Sequence, residues 1–263
     1  MNLFTFDPGA VLSFFLTLFR ISVVLFLLPF FGGQSIPNTI KAALVLVLSL
    51  AVWPRLSFPA DIFPMDPWEL PVMLLGEAAL GLTMGLMVRF LFAAVQTGGQ
   101  LIGFQMGFAM VSVLDPDTGV SEAVSAHFLY MTSMLVFLAL DGHLFLLKGL
   151  AQSFALVPPG RLFLTPVLVR QVLEFSGQMF FLAVKIASPV MASIFLVDLA
   201  LALISRAAPQ MHVLVLGFPV KLGVGFLFLT LIFQLLAMVL SGYVRDLDAM
   251  FLNLLRAMGP PGP

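Results

Sequence analysis

The chain has 263 residues, of which 61% are hydrophobic and only 10% charged, and its formal net charge at pH 7 is −1. So apolar a composition excludes a water-soluble domain with a polar surface and indicates an integral membrane protein. The near-zero net charge provides no basic field for nucleic acid, and the absence of cysteine excludes disulfides, thiol nucleophiles and thiolate metal sites.

Apolar stretches follow one another along the chain, at about 10–31, 42–58, 70–95, 124–147, 177–204 and 212–240. The first follows an N-terminus with no basic residue and no small-residue cleavage site, so we expect that segment to be retained. Four stretches are long enough to span a bilayer, whereas "WPRLSFP" weakens the second and Pro219 and Lys221 weaken the sixth. The connecting loops are too short for soluble domains, which indicates a single all-α membrane domain.

Five charged side chains lie inside these stretches: Arg20, Glu77, Arg89, Lys185 and Asp198. Lipid exposure of all five would cost on the order of 12 to 18 kcal/mol on insertion scales, so we expect them to face protein or water. For the two arginines, a side chain that snorkels from a helix end to the membrane surface is an equally good interpretation. Snorkelling is a poorer interpretation for the other three residues, because they lie deeper in their stretches. The lysine and aspartate of the fifth stretch are too far apart along one helix to pair directly.

Residues that weaken helices are frequent in the same stretches. Gly81 and Gly85 form a GxxxG pair in "GEAALGLTMG", a spacing that lets two helix backbones approach closely, and Pro189 predicts a kink in the fifth stretch. These features predict helices packed against other helices and favour a subunit of an assembly over an isolated bundle.

Catalytic patterns are absent from the sequence. The histidines His127, His143 and His212 have no metal-ligand spacing, and neither a GxSxG elbow nor a phosphate-binding GxxxxGK[ST] loop occurs. We therefore expect no enzyme activity, metal or other cofactor. The "DGH" at 141–143 could be part of a proton relay, but an Asp-Gly pair is more typical of a helix stop.

Three blocks of sequence resemble a known family. They read "LFRISVVLFLLPFFGGQSIPNTIKAAL" (18–44), "GGQLIGFQMGFAMVSVLDPDTG" (98–119) and "RAAPQMHVLVLGFPVKLGVG" (206–225). The chain resembles the FliR/SctT family of type III export-gate proteins over essentially its whole length. The matching positions are Arg20, Pro29, Phe31, Pro37, Lys41, Gly99, Gln100, Gly103, Gln105, Met106, Gly107, Asp115, Pro116, Arg206, Pro209, Gln210, Gly217, Pro219 and Lys221. His212 departs from the pattern, because the family usually has asparagine there.

The resemblance implies kinked helical hairpins packed in a helical export-gate assembly, with a FliP-like part at about 1–170 and a FliQ-like part at about 171–263. It implies FliP and FliQ homologues as partners, an FlhB homologue, unfolded flagellar proteins as cargo, and a place in the bacterial inner membrane at the flagellar basal body. Loop charges would put both termini in the cytoplasm if all six stretches crossed, but the resemblance implies hairpins stacked above the bilayer instead. We expect buried or inter-subunit polar positions at Arg20, Lys41, Glu77, Arg89, Lys185, Asp198, Arg206 and Lys221.

In this family the loop corresponding to 103–119 plugs the pore. Flexible methionines, bulky phenylalanines and mobile glycines suit a seal that excludes water by dewetting, and the aspartate and proline of "DPDTG" close the loop with a turn. The other interpretation is that the apolar side chains simply pack as core. The candidate gating residues are Gly103, Phe104, Gln105, Met106, Gly107, Phe108, Ala109, Met110, Asp115 and Pro116.

Likeness in the second and third blocks favours a flagellar export gate over its SctT counterpart in virulence secretion. A small secondary transporter that uses Lys185 and Asp198 in a broken helix is an alternative of another class, but no inverted repeat supports it. A membrane enzyme is a third alternative and lacks a catalytic constellation.

Overall fold

A computed structural model of the protein describes residues 8–32, 36–56, 68–108, 124–159, 166–210 and 213–258. These residues are almost entirely helical, and no strand occurs among them, which confirms the predicted all-α membrane protein. The helices are α1 (Pro8–Leu27), α2 (Pro29–Gly32), α3 (Asn38–Val52), α4 (Glu69–Met106), α5 (Val124–Ala139), α6 (Gly142–Leu156), α7 (Pro166–Ala207) and α8 (Val213–Met258), with a 3-10 turn at Trp53–Arg55 after α3.

Four of these helices, α1, α4, α7 and α8, are long and apolar enough to cross a bilayer. The weak second stretch forms α3, which has 15 residues and ends at Val52, just before the proline of "WPR". The sixth stretch is stronger than predicted. Its helix α8 continues through Pro219 for 46 residues, although this proline lies inside the helix and lacks the N–H that an interior residue donates.

We predict one span at 124–147, and the structure breaks this stretch near its end. It divides into α5 and α6, which are separated by Leu140 and Asp141. Asp141 at the junction has a left-handed backbone with φ 57°, a conformation that aspartate tolerates better than most residues and that ends a helix. The helix stop predicted at the Asp-Gly pair is therefore confirmed, and the described helices provide four spans, or five if the bent pair counts as one.

The chain packs as two compact units, each discontinuous in sequence. Unit 1 comprises Met1–Arg89, Asp141–Phe175 and Arg245–Pro263, and unit 2 comprises Phe90–Leu140 and Ser176–Val244. Helices α4, α7 and α8 contribute residues to both units. The predicted FliP-like and FliQ-like parts are each continuous in sequence, unlike the two units, so the units do not test them. The two parts stay a prediction.

Glycines bring the helices of unit 1 into close contact. A Cβ added at Gly81 would lie 2.7 Å from Val23 Cγ1, and one added at Gly85 would lie 2.5 Å from Leu27 Cβ. Both distances are shorter than any real Cβ contact, so α4 can approach α1 this closely only without side chains there. The predicted GxxxG contact face is confirmed.

In unit 2, glycines likewise allow α4 to pack closely against α5 and α7. A Cβ at Gly99 would lie 2.5 Å from Ala126 Cα of α5, and one at Gly98 would lie 3.0 Å from the Ala183 carbonyl oxygen of α7. The Ser125 hydroxyl donates to the Gly99 carbonyl oxygen at 2.8 Å. These contacts fix the C-terminal half of α4, from which the predicted gating loop begins.

Candidate functional site

The predicted gating loop begins later than the sequence suggested. Helix α4 continues through Met106, so residues 103–106 are helical and only Gly107 and Phe108 of the described residues lie beyond the helix. Residues 109–123 lie outside the described part of the chain, and with them the candidates Ala109, Met110, Asp115 and Pro116.

Gly107 ends α4 in a defined cap. Its φ is +90°, its N–H donates to the Phe104 carbonyl oxygen at 3.1 Å, and the Phe108 N–H donates to the Gly103 carbonyl oxygen at 3.0 Å. A left-handed residue with these two hydrogen bonds is a Schellman motif, which pairs the last carbonyls of a helix. Gly107 thus fixes the end of the helix, whereas we had expected Gly103 and Gly107 to keep the backbone mobile.

Side chains at this helix end have different environments. Met106 is fully buried, whereas Phe104 is 66% exposed and Gln105 is half-buried. Phe108 packs edge-to-face against Phe226 of α8, with ring centroids 6.4 Å apart. Met106 is therefore packed inside this chain, as in the core-packing interpretation, while the Phe104 side chain is exposed.

The sequence analysis did not predict which residues of α8 contact the end of α4. A Cβ at Gly225 of α8 would lie 2.7 Å from Met106 Cε, and one at Gly107 would lie 3.3 Å from the Phe218 ring. The available signal was the pair of glycines in "KLGVGF", since a glycine inside a helical pattern often marks a close backbone approach.

A second polar site lies inside unit 1, around Arg20 of α1. Its side chain is 1% exposed, and it binds Glu77 of α4 with two parallel hydrogen bonds, Nε to Oε2 at 2.5 Å and Nη2 to Oε1 at 3.0 Å. Nη1 donates to the Ser153 hydroxyl at 3.3 Å and to the Val157 carbonyl oxygen at 3.0 Å. The guanidinium carbon lies 4.4 Å from the centroid of the Phe154 ring.

This arrangement joins α1, α4 and the end of α6. Two parallel bonds to a carboxylate require the planar fork of arginine, which lysine lacks. The expectation that Arg20 and Glu77 face protein is confirmed, and the snorkelling interpretation of Arg20 is wrong. The sequence did not indicate that the two residues form a pair, because they come from different helices.

The other predicted polar positions differ in their burial and in their contacts. Asp198 of α7 forms an ion pair with Lys221 of α8, both partly exposed, and Lys41 is buried with its ammonium 6.0 Å from the Phe26 ring centroid. Three positions are exposed on this chain: Arg89, Lys185 and Arg206. Lys185 contacts no carboxylate in the part of the chain that the structure describes.

One exposed ion pair had not been predicted. Lys148 Nζ of α6 donates to Asp248 Oδ2 of α8 at 2.9 Å. Across the described ranges, no group of three or more histidine, aspartate and glutamate side chains could hold a metal ion. The candidate site thus has two parts. One is the C-terminal end of α4 with the residues of α8 that contact it in unit 2, and the other is the buried polar cluster around Arg20 in unit 1.

Comparison with known proteins identifies the family. The model of "Bacterial export proteins, family 1" matches residues 11–247. The flagellar biosynthetic protein FliR of Bacillus subtilis is 30% identical over 94% of this chain and 96% of its own length, and that of Aquifex aeolicus is 33% identical over 95% and 96%. The surface presentation of antigens protein SpaR of Salmonella typhimurium is 30% identical over 82% of this chain and 80% of its own length. The chain therefore belongs to family 1 of the bacterial export proteins, the family of FliR.

Proposed function

We propose that this FliR-family protein is a subunit of the flagellar type III export gate, where it forms the export pore with FliP and FliQ homologues and helps to gate the passage of unfolded flagellar proteins. The observation that supports this most is the match to flagellar FliR proteins over nearly their whole length. The matches to FliR of Bacillus subtilis and Aquifex aeolicus cover more of the chain than the match to SpaR, which favours the flagellar system over a virulence system. An FlhB homologue as partner and a place in the inner membrane at the basal body belong to the same proposal.

Exposed surface on α7 supports a place inside an assembly. Phe181 is 70% exposed, Val184 and Phe195 are exposed as well, and Lys185 lies among them with no carboxylate from the described chain beside it. An apolar helix face suits lipid or protein, but a charged side chain within such a face is costly in lipid. Coverage by another subunit would satisfy both the apolar residues and the lysine.

The ion pairs argue against a secondary transporter. That alternative needs Lys185 and Asp198 to act together at a break in α7, but Asp198 is paired with Lys221 of α8. Helix α7 is continuous from Pro166 to Ala207. A half-helix terminus, which transporters of this kind use to bind substrate, is therefore not present at these residues.

Gating in this proposal comes from the apolar segment that follows α4. With Phe104 exposed at its root and further apolar residues in "FAMVSVL", the segment offers side chains that can meet in a narrow channel. Such a constriction loses its water and thereby blocks ions, while its closure rests on weak contacts that an entering polypeptide can displace.

Co-expression with the FliP and FliQ homologues tests the assembly. A tagged chain should purify with both partners, whereas a transporter should purify alone or as a homo-oligomer. Deletion of residues 109–114, which leaves the Gly107 cap intact, should then preserve the complex and increase ion leakage across the membrane. A complex without the segment that is as tight as the wild type would refute the gating role, and a wild-type chain that purifies without partners would refute the assembly.

A further inference from the structure

One side of helix α7 in unit 2 is an exposed apolar face with a lysine inside it. Phe181, Leu196 and Leu199 are 70%, 63% and 50% exposed. Lys185 is exposed as well, and its spacing from these three residues places all four on the same side of the helix. A neighbour that covers this face must therefore also cover a cation.

The described residues of unit 2 do not neutralise this lysine. Their charged side chains are Lys185, Asp198, Arg206 and Lys221, so Asp198 is the single carboxylate among them. Asp198 pairs with Lys221 of α8. It also lies 13 residues after Lys185 on the same helix, about 20 Å along the axis, which is too far for an ion pair.

The third cation of this set has a different environment. Arg206 lies in the last turn of α7, where the carbonyl groups of a helix end stabilise a positive charge. Lys185 lies in the interior of the helix, with exposed apolar side chains before it and after it. Within the described part of unit 2, Lys185 is thus the one cation that has neither a carboxylate nor a helix end beside it.

This environment defines what a neighbour must provide. Hydrocarbon chains and a purely apolar protein surface would both leave the ammonium group without a partner. A lipid phosphate would provide a negative charge, but lipid headgroups lie at the membrane surface, and Phe181 and Leu196 continue the apolar face on both sides of the lysine. Charged side chains inside apolar helices usually pair with an opposite charge on a neighbouring helix.

We infer that the face of α7 around Lys185 is a docking surface for an apolar helix of a partner subunit, and that this helix carries one aspartate or glutamate that pairs with Lys185. The inference rests on the proposed function, which supplies the partner subunits. Each charge alone is costly in an apolar environment, and the complex satisfies both. The pair therefore selects a helix whose acid lies opposite Lys185 and fixes the register of the two helices.

Charge reversal at Lys185 tests the docking surface by co-purification with the FliP and FliQ homologues. Lys185→Glu should lower the yield of the complex at least about tenfold, because two carboxylates would meet in an apolar contact. Lys185→Met should also lower it, since the partner's carboxylate would lose its cation. Lys185→Arg keeps the charge and should stay near the wild type. Arg170→Glu is the control: it makes the same change of charge at an exposed position near the start of α7, and it should leave the yield unchanged.

A second experiment identifies the carboxylate. In the Lys185→Glu complex, each aspartate or glutamate within an apolar stretch of the two partner homologues is changed to lysine, one at a time. One of these changes should restore the yield, as expected for two residues in direct contact. If the Lys185→Glu chain does not accumulate in the membrane, Lys185→Met takes its place, and replacement of the partner's acid by methionine should restore that complex.

The other outcomes overturn the inference. A normal yield of Lys185→Glu would do so, and a simultaneous loss of co-purified anionic lipid would assign Lys185 to a lipid phosphate. A reduced yield that no change in the partners restores would exclude a partner carboxylate, and restoration by a change in an acid of this chain would assign the face to a second copy. In each of these cases the wild-type complex still forms, whereas a wild-type chain that purifies without partners would refute the proposed function itself.

Discussion

Replacement of Glu77 by glutamine should destabilise unit 1 far more than its small change in shape suggests. The variant keeps the size of the side chain but removes the charge that faces the guanidinium of Arg20, which is 1% exposed. Removal of one partner from a buried ion pair leaves the other charge uncompensated and typically costs about 3 to 5 kcal/mol. The Ser153 hydroxyl and the Val157 carbonyl oxygen would remain as neutral acceptors and cannot replace the carboxylate.

The measurement is the free energy of unfolding of the detergent-solubilised protein in a denaturant titration. Asp248→Asn is the matched control, because it makes the same carboxylate-to-amide change in an ion pair whose side chains are 53% and 30% exposed. The control should lose at most about 1 kcal/mol, as is usual for exposed pairs. Replacement of both Arg20 and Glu77 by methionine should cost less than Glu77→Gln alone, since no charge is left buried. A Glu77→Gln variant that is no less stable than Asp248→Asn would refute the reasoning.

Two further predictions concern contacts between helices. Asp198→Lys should reduce the yield of the complex in co-purification, because it places two cations together where Asp198 now pairs with Lys221. Addition of Lys221→Asp should restore the yield. A double variant that restores nothing would assign Asp198 to a contact with a partner subunit. Gly85→Ala should cost about 1 to 3 kcal/mol in the free energy of unfolding because its Cβ would lie 2.5 Å from Leu27 Cβ, whereas Gly177→Ala, with nothing within 4 Å, should be neutral or stabilising; equal effects of the two would contradict the close packing of α4 on α1.

Local rules predicted the features that depend on neighbours in sequence. Composition indicated helices in a membrane, the GxxxG spacing indicated the face of α4 that packs on α1, and the Asp-Gly pair indicated the break before α6. The cost of a charge in lipid indicated that the charged side chains face protein or water, but it left snorkelling as an equally good interpretation for Arg20. None of these rules identifies Glu77 as its partner, because 57 residues separate the two in sequence and the pairing depends on how α1 and α4 pack.

The end of α4 shows why the gating site was less predictable. Glycine is a common residue at the C-terminal end of a helix, so Gly107 could have been predicted to end α4. The turn signal of "DPDTG" is stronger, and it led us to predict one loop over the whole of 103–119. Residues 103–106 remain helical because the cap pairs their carbonyls and because Met106 is buried against Gly225. The second reason is tertiary and involves a residue more than a hundred positions away, so an apolar run alone could not separate the seated methionine from the exposed Phe104.

Helix lengths bear on how much of this chain the bilayer can cover. Helix α1, with 20 residues, is about 30 Å long and matches the hydrocarbon core of a bilayer. Helices α4, α7 and α8 have 38, 42 and 46 residues, so they are about 57, 63 and 69 Å long. One crossing of the hydrocarbon core needs about 20 residues, so each of the three helices has more residues than a single crossing uses. In the proposed assembly, the apolar residues beyond one crossing would pack against partner subunits, and hairpins stacked above the membrane would provide those contacts.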